Sequence, residues 1–208
     1  GDRILVNLTD ADDTATISGA ITNVDDVDVQ SGVLVIDAVY DNTNADITIS
    51  DGATLRVGGS GDIQVDITNE AGQTGTQTIE VENGGTLGTA GTIVDLGAGD
   101  DAITLDGATV SADSIIGGDG DDTLTVDGND TTITSDIAGF ETLLVASSDT
   151  LFIGTGGATE VLDEPDIVLQ GNGAGITINT TESVIGDIGV GSGAGGSQQQ
   201  TITLTAGT

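Results

Sequence analysis

Apolar and polar residues alternate in short runs along this chain, and glycine-rich turns cut the runs apart. "DITIS" (46–50), "DIQVDIT" (62–68), "QTIEVE" (77–82), "AITL" (102–105), "TLTV" (123–126), "GITI" (175–178) and "TITLT" (201–205) all keep a period of two. That period puts one row of side chains inside and the next in water, the pattern of half-buried β-strands. Asp-Gly, Asn-Gly and Gly-Gly pairs between the runs mark turns. Helix is disfavoured by the 34 glycines and by the absence of lysine, since glycine costs about 1 kcal/mol per helical position.

The spacing narrows the fold further. Ile47, Leu55, Ile63, Ile79 and Leu87 fall on one grid of eight residues, with Ala71 at the remaining step, and Leu124, Ile133, Leu143, Leu151 and Val161 continue at eight to ten. Short strands at this spacing suit a sandwich or the walls of a solenoid. Aromatic content separates the two. Only Tyr40, Phe140 and Phe152 are aromatic, whereas a sandwich has to fill a gap of about 10 Å between its sheets. A solenoid stacks like residues every ~4.8 Å and needs only ladders of Val, Ile, Leu and Ala, with glycines at its corners. The expectation is a single elongated all-β domain over 1–208, a β-solenoid, with a β-sandwich or Greek-key domain as the alternative. Ile63, Val65, Ile67, Ile79, Val81, Ile103, Leu105, Leu124, Val126, Ile176 and Ile178 point inward in this reading, and Gln64, Asp66, Glu80 and Thr104 outward. "NEAGQTGTQ" (69–77) reads as a loop or a seam, and "GVGSGAGGSQQQ" (189–200) as a flexible loop before one more strand.

Charge and missing residue types bound the chemistry. Arg3 and Arg56 face 35 acidic residues, for a net charge of −33. A nucleic acid is excluded as partner, because phosphate binding needs a basic footprint. An anionic membrane surface is disfavoured likewise, no apolar run of about 18 residues supplies a membrane insertion, and divalent cations are the natural counterpart. Cysteine, histidine, methionine and tryptophan are absent, so disulfides, zinc, haem and Ser-His or Cys-His catalysis are not available. Carboxylate pairs remain at Asp100/Asp101 and Asp121/Asp122, but strand neighbours point to opposite faces and are poorly set to share one substrate. The expectation is a protein that is not an enzyme. No basic stretch followed by an apolar one marks a signal peptide, and the chain starts within the strand-like "RILVNL", as a processed form or a fragment would.

One stretch carries a specific chemistry. "GGDGDDTLT" (117–125) meets every fixed position of the nonapeptide G-G-x-G-x-D-x-U-x, with Gly117, Gly118 and Gly120, the acid Asp122 and the apolar Leu124. "LGAGDDAIT" (96–104) keeps Gly97, Gly99, Asp101 and Ile103 and has Leu96 for the first glycine. "GGSGDIQVD" (58–66) is a third candidate with Asp62 displaced by one position, and Asp10, Asp12 and Asp13 form a glycine-free echo. The full copy resembles the repeats-in-toxin calcium β-roll family. That resemblance implies Ca2+ as the cofactor, held by glycine-turn carbonyls and by carboxylates at Asp100, Asp101, Asp119, Asp121 and Asp122. Calcium prefers about six to eight oxygens at roughly 2.3–2.6 Å, so such a set is apt. The two best copies start 21 residues apart, against about 18 for tandem nonapeptides, which implies one or two isolated sites rather than a continuous ladder of ions.

A broader likeness runs through "DGATLRVGG" (51–59), "NGGTLGTAG" (83–91) and "DGATVSAD" (106–113), which resemble the wall-and-turn units of autotransporter passengers and other bacterial surface β-helices. It implies an extracellular or cell-surface location. The function expected is therefore a calcium-supported structural solenoid in a filament, surface layer or adhesin stalk. The alternative is a surface binding module for carbohydrate, ice or a host ligand, with Thr-x-Thr at Thr14/Thr16, Thr76/Thr78, Thr123/Thr125, Thr132/Thr134 and Thr201/Thr203/Thr205 as candidate rows. Threonine is also the favoured solvent-facing residue of strands. Neither end of the sequence has a capping helix or a guarding proline, so head-to-tail homo-oligomers, as a filament or lattice, are expected from pairing of open edges.

Overall fold

The computed structural model describes residues 2–42, 44–146, 148–153, 166–170, 173–178, 188–191 and 201–204. Every regular element among them is a strand of two to six residues. From Asp26–Ser31 to Thr150–Ile153 the chain turns after each strand into a new sheet, and every third turn returns it to the first; the coil before has only an isolated bridge, Ile21 to Tyr40, on the third side, and the described strands after it alternate between the second and third sheets. Three parallel sheets result, with seven, nine and eight strands. The first wall runs from Arg3–Asn7 to Asp136–Ala138, the second from Thr14–Ile17 to Ile188–Gly191, and the third from Val39–Tyr40 to Thr201–Leu204. All strand pairs are parallel. The protein is thus a β-solenoid of about seven turns and not a sandwich, whose hairpins would pair antiparallel strands. No helix is long and apolar enough to cross a membrane among the described residues.

Parallel register turns the period-two pattern into ladders. Leu34, Leu55, Ile79, Ile103, Leu124, Leu143 and Ile167 lie directly above one another on the second wall, and all have no exposed surface. Burying each such side chain contributes about 1.5–3 kcal/mol, offset by the entropy of ordering the chain. The inward set expected from the sequence is buried, apart from Ile178, whose side chain lies outside the described set. Gln64, Asp66, Glu80 and Thr104 are half-buried between their inward neighbours. Tyr40 and Phe140 complete the core, and Phe152 faces outward.

The eight-residue grid is the triangular cross-section. Ile47, Leu55 and Ile63 sit on the first, second and third walls of one coil, so one wall and its corner take eight residues. On the second wall, stacked positions are 19, 21 or 24 residues apart. Ala71 is not a wall residue: it is exposed in the corner that follows Asp66–Asn69. The stretch 62–68 is two strands, Asp62–Ile63 of the third wall and Asp66–Asn69 of the first. Val65 stays buried in the corner between them, which is why the alternation runs on unbroken through the bend. The first three residues of the loop expected over 189–200 belong instead to a strand, Ile188–Gly191; residues 192–200 lie outside the described residues.

Candidate functional site: a stacked carboxylate corner

The two nonapeptide-like stretches occupy the same corner, between first and second walls, on consecutive coils. Leu96–Asp101 leads from Ile93–Asp95 into Ala102–Leu105, and Gly117–Asp122 leads from Ser114–Ile116 into Thr123–Val126. Their separation of 21 residues is one coil. The corners bond to each other through the main chain: the Gly99 N–H donates to the Asp119 carbonyl (2.9 Å), and the Asp119 N–H to the Gly97 carbonyl (2.8 Å). Glycine is required for this approach. Gly118 has φ +122°, and a Cβ there would collide with the Gly97 carbonyl oxygen. The third candidate is elsewhere, because Gly58–Gly61 turns the chain from the second wall to the third. Asp13, from the glycine-free echo, does precede a second-wall strand at the equivalent position, three coils away from the nearest polar member of the column described next.

The residue just before each second-wall strand forms a column, and in four consecutive coils it is Gln77, Asp101, Asp122 and Glu141. Each acid reaches back by one coil. The Gln77 N–H donates to Asp101 Oδ1, the Asp101 N–H to Asp122 Oδ1 and the Asp122 N–H to Glu141 Oε2, all at 2.6 Å. Gln77 and Asp122 are fully buried and Asp101 is 2 % exposed, while Glu141 is exposed. These bonds use one oxygen of each aspartate. The second oxygens, Asp101 Oδ2 and Asp122 Oδ2, are buried without a hydrogen-bond partner. Asp122 leans over Gly117, where a Cβ would stand 2.8 Å from Oδ2; only glycine leaves this room, and Leu96 takes the place in the preceding coil.

Burial without a counter-charge makes both carboxylates reluctant to ionise. Asp101 is pushed up to about 6, chiefly by desolvation, with Asp122, Asp51 and Asp100 adding repulsion against the opposing bond from the Gln77 N–H. Asp122 is raised as well, again mainly by desolvation and then by Glu141, Asp100 and Asp121. The two arginines are engaged elsewhere. Arg56 pairs with Glu80 (2.5 Å) and lies 3.9 Å from Glu82, and Arg3 pairs with Asp28.

The five acids marked by the motif therefore divide. Asp101 and Asp122 are inside, whereas Asp100, Asp119 and Asp121 are exposed. Asp100 and Asp121 stack outside, with the Asp121 N–H donating to Asp100 Oδ1 (3.1 Å). Adjacent residues entering a strand face opposite ways, so one member of each Asp-Asp pair is lost to the interior set. Among the described residues no three His, Cys, Asp or Glu side chains gather closely enough to hold a metal alone. The all-oxygen, anionic character of the corner still suits a hard cation: two orphaned buried carboxylate oxygens one coil apart lack any donor, and a cation supplies what a donor would.

Gln77 and Glu141 belong to this column although neither lies in a nonapeptide. A signal for them was present. Gln77-Thr-Ile, Asp101-Ala-Ile, Asp122-Thr-Leu and Glu141-Thr-Leu share one form, a carbonyl-bearing side chain, a small residue and an aliphatic, at intervals of one coil. Comparison with protein-family models, with curated proteins and with solved structures gives no match.

Proposed function

We propose that this chain is a calcium-supported structural solenoid of a cell surface or extracellular layer, working as a stiff, acidic rod. A β-solenoid of stacked parallel walls fits a structural or surface protein, and the glycine-threonine wall-and-turn units favour surface display. The observation that carries the reading is the pair of buried, unpartnered carboxylate oxygens at Asp101 and Asp122 inside a stacked glycine corner. These two residues hold the ion. Bound Ca2+ supplies positive charge that neutralises them and ties one coil to the next. The rest of a shell of about six to eight oxygens has to come from main-chain carbonyls, amide side chains or water. The exposed Asp100, Asp119 and Asp121 are left on the rod's surface. At a net charge of −33 copies repel each other at low salt, and divalent cations shared between acidic faces relieve that repulsion. Copies of the chain are thereby brought into a filament or lattice.

Electron microscopy and light scattering of the purified protein test this reading. Ordered assemblies in millimolar Ca2+ that disperse in chelator are expected. Particles of monomer size under both conditions would refute assembly. Saturable binding of a soluble sugar or peptide by those monomers would favour a binding module instead.

A further inference from the structure

Buried polar side-chain atoms without a partner are uncommon in folded proteins, and each one calls for an explanation. Six occur among the described residues: Asn69 Oδ1, Gln77 Oε1, Asp101 Oδ2, Asp122 Oδ2, Thr131 Oγ1 and Ser135 Oγ. Thr131 and Ser135 carry single hydroxyls, the first opening a third-wall strand, Thr131–Ile133, and the second two residues beyond it. The other four all lie where the first wall turns into the second, on three consecutive coils. All four are carbonyl or carboxylate oxygens. None can donate a proton while the carboxylates are ionised, so they cannot satisfy one another.

We infer that the cation site begins one coil before the nonapeptide-like copies, and that the amide oxygen of Gln77 is one of its ligands. The orientation of the amide is fixed by its other end. Gln77 Nε2 donates to Asp51 Oδ1 (2.9 Å) and to the Gly75 carbonyl (2.6 Å). Both partners are acceptors, so the nitrogen has to face them and Oε1 is turned away, into a place where the residue has no exposed surface. The Gln77 main chain is tied to Asp101 Oδ1, so the amide of one coil and the free oxygen of Asp101 on the next are consecutive members of one column. Asp51 touches the amide from the coil before, and its charge adds to the repulsion felt at Asp101. Gly99 keeps the corner tight, since a Cβ there would collide with the Gly75 carbonyl oxygen. A neutral oxygen is useful at this point. A cation that needs about six to eight oxygens has only two buried carboxylates available, and a third buried anion would raise the desolvation cost further.

This inference rests on the calcium reading above, and one experiment separates the two. Calcium is titrated calorimetrically into metal-free wild-type protein and into Gln77→Leu and Gln77→Met, with circular dichroism to verify the fold. The wild type is expected to bind, and both variants, which keep the bulk and remove the oxygen, to bind roughly tenfold more weakly or to lose an ion. No binding by the wild type overturns both readings. Wild-type binding left unchanged in Gln77→Leu overturns the role of Gln77 alone, and calcium at Asp101 and Asp122 then stands. Should Gln77→Leu not fold, binding left unchanged in Gln77→Met overturns the role in its place.

Discussion

Shortening Leu124 to alanine tests the packing account where it is most constrained. Leu124 is fully buried between Ile103 and Leu143 in the second-wall ladder. The coils on either side are pinned by main-chain bonds before and after it: Thr123 N–H to the Asp101 carbonyl (2.9 Å), Asp127 N–H to Leu105 (3.1 Å), Thr142 N–H to Asp122 (3.1 Å) and Ala146 N–H to Val126 (2.9 Å). Such a site cannot collapse along the axis without breaking ladder bonds. Losing three carbons removes about 2.4 kcal/mol of transfer energy at roughly 0.8 kcal/mol per methylene. A cavity of about 70 Å3, at roughly 24 cal/mol per Å3, adds about 1.7 kcal/mol. The sum is about 4 kcal/mol, toward the upper end for such changes. Thr125, half-buried on the opposite face of the same strand, is the control, and Thr125→Ala is expected to cost about 0.5 kcal/mol or less. Guanidinium denaturation at fixed calcium, with the slope against denaturant compared between variants, measures both. A loss under about 1 kcal/mol for Leu124→Ala, or an equal loss for the two variants, would refute the ladder argument.

Two further substitutions follow from the corner. Gly118→Ala places a Cβ against the Gly97 carbonyl at φ +122°, whereas Gly52→Ala at φ +75° meets nothing within 4 Å; denaturation should show a loss of about 3 kcal/mol or more for the first and about 1 kcal/mol for the second. In chelator, Asp101 holds its proton more tightly folded, to about 6, than at its ordinary value of 3.8. Folding therefore takes up protons between those values, and the stability that protonation gives is full below about pH 4 and lost as pH rises through about 6. Metal-free protein should melt higher at pH 5 than at pH 7. Asp101→Asn should flatten that dependence and gain on the order of 2 kcal/mol at pH 7; a melting temperature that rises with pH in chelator would contradict the assignment.

The walls were legible because alternation and glycine placement are local. The number of walls was not, although the eight-residue grid contained it. Ile63, Val65 and Ile67 all point inward while the chain passes from the third wall to the first, so the inward row continues around a corner and period two cannot mark the bend. The corner chemistry divides in the same way. The nonapeptide located Asp101 and Asp122 through glycines whose backbone positions are needed for coil-to-coil contact. It also marked Asp100, Asp119 and Asp121, which the alternation of faces sends to water. Gln77 and Glu141 carry no glycine signature, and their membership depends on coil lengths of 24 and 19 residues that only the register of stacked strands reveals.

Thermal unfolding in chelator against millimolar Ca2+, for the wild type and Asp122→Asn, tests the central claim most directly. A ligand bound only by the folded state adds about 2.7 kcal/mol at a hundredfold excess over its Kd. Calcium should therefore raise the wild-type melting temperature by several degrees, and Asp122→Asn, with one buried charge removed, should lose most of that rise. Wild-type curves that coincide with and without calcium at pH 7 would contradict the account.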